Sequence, residues 1–582
     1  MPAHLDPTYR ANALASLGEH ELDVLVIGGG VVGAGAALDA ASRGLTTLLV
    51  EARDFAAGTS SRSSKLIHGG LRYLEQFDFA LVREALRERG LLLNKLAPHL
   101  VHPVSFLFPL HHHWERPYIG AGVALYDTLG GARALPMHRH LTRTRALELA
   151  PALRSDSMVG AIRYFDAQVD DARHTMMLAR TAARHGATVL TRTKVTGLLR
   201  DPGMSVRPGG GSLRNHGGPA HAANGHSTRV VGATVTDRET GREYEVRARR
   251  VISATGVWTD EMNAMTGVDF PFHVRMSKGV HILVPRARLD LGTGLIMKTE
   301  KSVLFVIPWQ EHWIIGTTDT DWSLDKDHPV ATATDVQYIL DHVNALLREP
   351  LSPQDIVGTY AGLRPLLSGA SSDTAKLSRE HAVAEPVPGL FVIAGGKYTT
   401  YRVMAADVVD AAVAGFGRGV APSVTENLPI LGAAGYHELL ADIESVAQRA
   451  GLTVDAATHL VSRYGSLATE LFSMIDREPE LGMALPGTEY RGVEALYAVT
   501  HEGALHLDDI LTRRTRISIE VPDRGLAAAT AAAEIVAGPL GWDEATKAAE
   551  LARYSDRVNA ELKANTAADD ATANAARQVA PC

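Results

Sequence analysis

The period of apolar and polar positions changes along the chain, and each period predicts a different element. Residues 22–27 (LDVLVI) are a short apolar run, followed by GGGVVGAG, AALDAASRG and LTTLLVE. That order predicts a buried strand, a glycine turn, a helix and a second buried strand, about the length of one βαβ unit. Residues 79–100 and 172–185 carry helical spacing, while 187–199 (ATVLTRTKVTGLL) and 229–256 read as strands. From 272 to 320, runs such as VHILVP, VLFVIPW and HWIIGTTD alternate as in an antiparallel sheet. Beyond about 425 amphipathic helix dominates, and a helical C-terminal domain is expected over 427–560. Residues 202–228 are rich in Gly, Pro and small polar side chains, and predict a flexible insert. Residues 564–582, rich in Ala, Asp and Asn, predict a frayed, disordered tail.

Composition narrows the class. Of 582 residues, 46% are hydrophobic and 21% charged, which excludes a disordered or fibrous chain. The net charge of −8 argues against a nucleic-acid partner. The single cysteine, Cys582, excludes an internal disulfide, an iron–sulfur cluster and a cysteine nucleophile within the fold. No run reaches the roughly 18 apolar residues of a membrane-spanning helix, and the N-terminal stretch is polar. No metal is assigned: Asp319 and Asp321 read as a turn cap, and His111–His113 as a solvated loop. Of the neighbouring aromatics, Phe106, Phe108, Trp114 and Tyr118 are expected in ordinary core rather than against lipid.

Gly28, Gly30 and Gly33 form G-x-G-x-x-G directly after a strand and at the start of a helix carrying Val31 and Val32. The glycines serve a tight turn, close approach of backbone to a pyrophosphate, and close helix–strand packing. Glu51 closes the second strand, where a carboxylate accepts from a ribose hydroxyl. This fingerprint does not decide between NAD and FAD. Residues 58–75 (GTSSRSSKLIHGGLRYLE) then crowd hydroxyls (Thr59, Ser60, Ser61, Ser63, Ser64), cations (Arg62, Lys65, Arg72), His68 and the flexible pair Gly69-Gly70 into one segment.

That segment resembles the signature of the FAD-dependent, quinone-linked respiratory glycerol-3-phosphate dehydrogenases. Similar motifs recur in order: SATGVW (253–258), KGVHI (278–282), IGTTD (315–319), GLRPL (362–366), SREH (378–381), GGKYTTYR (395–402) and LDDILTRRTR (507–516). The likeness spans roughly residues 20–560. It implies an α/β fold with an FAD-binding Rossmann-type domain, an antiparallel-sheet substrate domain like that of D-amino-acid oxidase, and a helical C-terminal domain. The implied FAD-binding domain is discontinuous, at 20–80, 155–260 and 353–426. A substrate or cap domain takes 81–154 and 261–352. The implied reaction is oxidation of sn-glycerol 3-phosphate to dihydroxyacetone phosphate, with hydride passing from C2 to flavin N5.

Three chemical demands select candidate residues on the matching motifs. A phosphate dianion calls for arginine or lysine, and Arg72, Arg364, Arg379 and Lys397, with Tyr73, are the substrate-binding candidates. The C2 hydroxyl needs a proton acceptor, for which His68 and His281 are candidates, or an arginine that polarises its oxygen; these are unranked, and Arg364 and Lys397 join the histidines as catalytic candidates. Reduced flavin needs a cation or helix N-terminus near its ring, a place for Lys397 and the helix after it. The resemblance adds Ala52, Lys65, Val195, Ala254, Thr255, Gly256, Trp258, Gly316, Asp319, Arg364, Gly396, Lys397, Tyr398 and Thr399 to the cofactor shell. It also implies a membrane quinone (ubiquinone or menaquinone) as acceptor, a cytoplasmic chain peripheral on the inner membrane face, and a homodimer. An oxygen-using glycerol-3-phosphate oxidase, or a flavin oxidase of another anionic substrate, is the alternative left open.

Overall fold

A computed structural model describes residues 4–70, 78–130, 135–206, 227–300, 303–368, 380–417 and 419–580. Among these, the strands form two sheets. The first has its spine in the order His381–Val387, Leu390–Gly395, Glu243–Ser253, Leu22–Ile27, Thr47–Val50, Thr188–Leu190. Leu22–Ile27 runs parallel to both Glu243–Ser253 and Thr47–Val50, so the chain must cross over between them. The crossover is the helix Val31–Ser42, and its Ala-rich body is buried on nearly every side. Strands of a parallel sheet are covered on both faces, which is why 22–27 reads as a continuous apolar run and not as an alternation.

The second sheet is mostly antiparallel, and it is built on Val274–Pro285, which pairs with His312–Gly316, Thr320–Trp322 and Gly358–Leu367. Three strands here correct the expected domain boundaries. Leu66–Ile67, Gly160–Val169 and Gly358–Leu367 fall within the segments assigned to the FAD-binding domain, yet they pair within this second sheet. Local pattern identifies a strand, but its partners elsewhere in the chain decide which sheet it joins.

The tail is a second correction. Residues 570–578 form a helix, Asp570–Gln578, capped by Asp569, whose carboxylate accepts from Thr572 N at 2.8 Å. Ala564 and Ala573 are buried against Val330. Most of the 202–228 insert lies outside the described residues; its flanks extend the strands Thr193–Val206 and Ser227–Asp237. From Tyr436 to Asn565 the chain is predominantly helical. Among the described residues no helix is long and apolar enough to cross a membrane.

Candidate active site

The strand Leu22–Ile27 ends at Gly28, whose φ of +108° suits glycine, and a Cβ there would lie 2.7 Å from Ala254 O. A Cβ on Gly33 would lie 1.8 Å from Gly28 O, so the helix can rest on the turn only without a side chain. Gly30 begins the helix, and Ser60 Oγ accepts from Val31 N at 2.9 Å. Glu51 accepts from Gly29 N at 2.6 Å and from Arg53 N at 2.8 Å. Burial raises its pKa, and those two N–H groups oppose the rise. Its carboxylate is thus fixed in the wall of a cavity of about 720 Å³ that starts at this turn.

The same cavity runs on to Ser64, His68, His281, Arg364 and Lys397. Pairing register explains why these side chains meet. Arg364 lies opposite Ser277, Gly362 opposite Gly279, and Tyr360 opposite His281. Side chains two apart share a face, so Ser277, Gly279 and His281 all face Arg364. A Cβ on Gly279 would come within 2.5 Å of Arg364 Nη2, so that glycine makes room for the guanidinium. Arg364 donates to Thr317 Oγ1 at 2.9 Å, Thr318 O at 3.2 Å and Ser277 Oγ at 3.3 Å, with Asp319 3.6 Å away. His281 Nε2 meets Ser64 Oγ at 2.9 Å, and its ring stacks on Tyr360. Burial, then the cations Arg364 and Lys65, hold His281 well below an ordinary histidine pKa. On the opposite wall, Thr399 Oγ1 bridges His68 N and His68 O, tying the His68 strand end to the segment that carries Lys397.

Most of the expected residues line this cavity, including Val31, Val32, Ala52, Thr59, Ser63, Val195, Thr255, Gly256, Trp258 and Gly396. Seven expected cofactor contacts do not. Gly33 packs on the turn as described. Lys65 is fully buried, with Nζ 2.9 Å from Asp171 and 3.2 Å from Ser61 O, so it and Ser61 support the wall from behind. Gly69 donates to Tyr126 OH at 2.7 Å, and Gly70 turns the chain at φ +80°. Gly316 packs against the His281 ring, and Asp319 holds Ser277 and Arg364. Tyr398 lines the cavity, but its hydroxyl is turned to Asp171 O at 2.7 Å. Arg72, Tyr73 and Arg379 lie outside the described residues.

Two contributors go beyond the expected cofactor contacts: Arg62, read from the sequence only as a cation of the 58–75 segment, and Arg53, which was not named. Arg62 lines the cavity, with its pKa lowered to about 9 by burial and by Arg53, Arg557, Arg513 and Arg577. Arg53 also lines it, stacked 4.8 Å from the Trp258 ring centroid. Both sit beside recognised motif positions, but only the fold turns them inward. The cavity wall contains no group of metal-ligand side chains among the described residues; one such group, His4, Glu470 and His501, lies elsewhere.

A dinucleotide turn opening into a cationic cleft between a parallel and an antiparallel sheet defines a flavin-type oxidoreductase. A family model described as FAD dependent oxidoreductase matches residues 23–409, and one described as the C-terminal domain of alpha-glycerophosphate oxidase matches residues 423–547. The chain is 54% identical over 583 residues to glycerol-3-phosphate dehydrogenase 2 of Mycobacterium tuberculosis, covering 100% of this chain and 95% of that one. It is 37% identical over 568 residues to the human mitochondrial glycerol-3-phosphate dehydrogenase, covering 94% and 75%. Its fold is similar to that of glycerol-3-phosphate dehydrogenase from Bacillus halodurans complexed with FAD, with a TM-score of 0.75, 27% identity, and coverage of 96% and 98%. The chain belongs to the FAD-dependent glycerol-3-phosphate dehydrogenase family.

FAD is the cofactor, and the residues fit it. A Cβ on Gly30 would sit 3.2 Å from Ser60 Oγ and fill the space a pyrophosphate needs. The Arg62 guanidinium, on the cavity wall beside Arg53 and near further cations behind it, suits a phosphate oxygen.

Proposed function

We propose that this cavity oxidises sn-glycerol 3-phosphate to dihydroxyacetone phosphate and that the electrons leave to a membrane quinone. The observation that carries this is that Arg364, Lys397, His68 and His281 all line the one cavity that begins at the glycine turn. Bound FAD supplies the hydride acceptor. Arg364 and Lys397 supply positive charge for the phosphate dianion. Four polar neighbours fix the Arg364 fork before substrate arrives, so little ordering remains to be done on binding.

His281 is our choice for the group that accepts the C2–OH proton. It lines the cavity and is held neutral, and the Ser64 contact and Tyr360 stack fix its ring. Replacing His281 with asparagine is expected to slow anaerobic flavin reduction about 100-fold, in the usual range for a general base. A larger loss from His68→Asn than from His281→Asn would transfer the role to His68.

Quinone as acceptor requires a lipid-facing surface. On the helix Glu115–Gly130 and the residue before it, Trp114, Pro117, Tyr118, Ala121 and Leu125 are exposed, with Trp114 at 64% and Tyr118 at 59%. Phe106 and Phe108 are core, so the aromatic group divides between core and surface. An outward apolar stripe with Trp and Tyr, and with exposed Arg139 and Arg143 nearby in the chain, suits the interfacial zone of an anionic bilayer. The double substitution Trp114→Asp and Tyr118→Asp is expected to abolish sedimentation with anionic vesicles and slow reduction of vesicle-borne quinone, leaving flavin reduction unchanged. The match of residues 423–547 to an oxidase domain sets the competing outcome: peroxide formed at the rate of substrate turnover would make oxygen the acceptor.

A further inference from the structure

The helix Asp570–Gln578 does not merely cover surface. Gly279 and His281 line the cavity and Ser277 shares their face of the strand, so Lys278, between them, points to the opposite face of the sheet. There its ammonium is buried between two carboxylates, Asp335 at 2.5 Å and Asp570. Asp335 is already committed: it caps the helix Ala333–Asn344, accepting from Thr332 N at 2.9 Å and Thr332 Oγ1 at 2.8 Å. Asp570, a quarter exposed, contributes no such cap and reaches Lys278 across 292 residues of sequence.

The segment around it is anchored at three further points. Ala333 N donates to Ala567 O at 2.9 Å, and Thr334 Oγ1 donates to Ala568 O at 2.6 Å. Asn565 Nδ2 donates to Thr359 Oγ1 at 3.0 Å. Thr359 belongs to Gly358–Leu367, the strand that carries Arg364, and Lys278 belongs to the strand that carries Ser277 and His281. The C-terminal segment therefore grips, from behind, both strands whose front faces form the cationic wall.

We propose that Asp570 is a positioning residue: through Lys278, it holds the strand Val274–Pro285 at the height at which Ser277, behind the cavity wall, seats the Arg364 guanidinium for the substrate phosphate. This rests on the assignment of the cavity as a glycerol 3-phosphate site. Displacements well under 1 Å at such a wall are costly to binding while leaving the fold intact.

The test uses the full-length, FAD-loaded protein and the Asp570→Asn and Asp570→Glu variants. Lys278 keeps Asp335 in both, so no buried charge is stranded. Binding of dihydroxyacetone phosphate is read from the perturbation of flavin absorbance, without turnover. Asp570→Asn is expected to weaken it about tenfold, with flavin per chain unchanged and kcat within about twofold. Asp570→Glu should restore most of the affinity. Unchanged affinity in Asp570→Asn overturns the proposal, whether or not the thermal midpoint falls. If wild-type flavin is not reduced by glycerol 3-phosphate at all, the substrate assignment fails, and the clamp with it.

Discussion

Arg364→Ala is expected to lower kcat/KM for glycerol 3-phosphate about a thousandfold while flavin content stays at one per chain. Two charge-assisted hydrogen bonds to a phosphate at roughly 2 kcal/mol each amount to about 4 kcal/mol, which is about three powers of ten. The loss should fall mainly on KM, because phosphate is bound equally before and during hydride transfer. Arg364→Lys should recover only part of it, since an ammonium cannot reproduce the fork that Thr317, Thr318 and Ser277 hold in place. Loss of flavin in Arg364→Ala would instead place this side chain in the cofactor shell. Steady-state kinetics with flavin quantified on the same sample separates the two outcomes.

Asp54→Ala is expected to destabilise the protein by about 4 kcal/mol, read as a lowered urea midpoint. Asp54 is 1% exposed and receives Arg514 Nη1 and Nη2, each at 2.7 Å, together with Arg513 Nε at 2.5 Å. Both arginines come from the LDDILTRRTR motif of the helical region, 459 and 460 residues away. Removing the carboxylate leaves Arg514 buried with, among the described residues, Glu502 O as its remaining hydrogen-bond acceptor. Stranding one member of a buried ion pair costs roughly 3–5 kcal/mol. Arg516 of the same motif reaches Asp170, Asp171 and Ser61 O, so this motif docks the helical region on the back of the flavin wall. An unchanged midpoint in Asp54→Ala would show that the two regions do not depend on this contact.

What could be read from the amino-acid sequence follows from where each constraint originates. The glycine turn was legible because Gly28 and Gly33 answer to atoms within a few residues or one strand away. Arg364 and Lys397 were legible as members of recurring motifs. Lys65, Ser61, Gly316 and Asp319 belong to the same motifs but lie one layer behind the cavity. A motif shows that a position matters, not which side of the strand it faces. Lys65 is explained by Asp171 and Gly316 by the His281 ring, both distant in sequence or on another strand. The C-terminal helix was illegible for a similar reason. Its small-residue composition has little core-forming capacity by itself, and it is held by Lys278 and by backbone bonds to the start of Ala333–Asn344. The three strands placed in the FAD-binding segments are of the same kind, since pairing and not local pattern puts them in the second sheet.

The central claim is that one cavity seats FAD against a site for glycerol 3-phosphate. Anaerobic mixing of the FAD-loaded protein with sn-glycerol 3-phosphate tests it most directly. Full bleaching of the oxidised-flavin band, with one dihydroxyacetone phosphate formed per flavin and no bleaching by glycerol at equal concentration, is the expected result. A flavin that stays oxidised with saturating glycerol 3-phosphate, in protein carrying one FAD per chain, would contradict it.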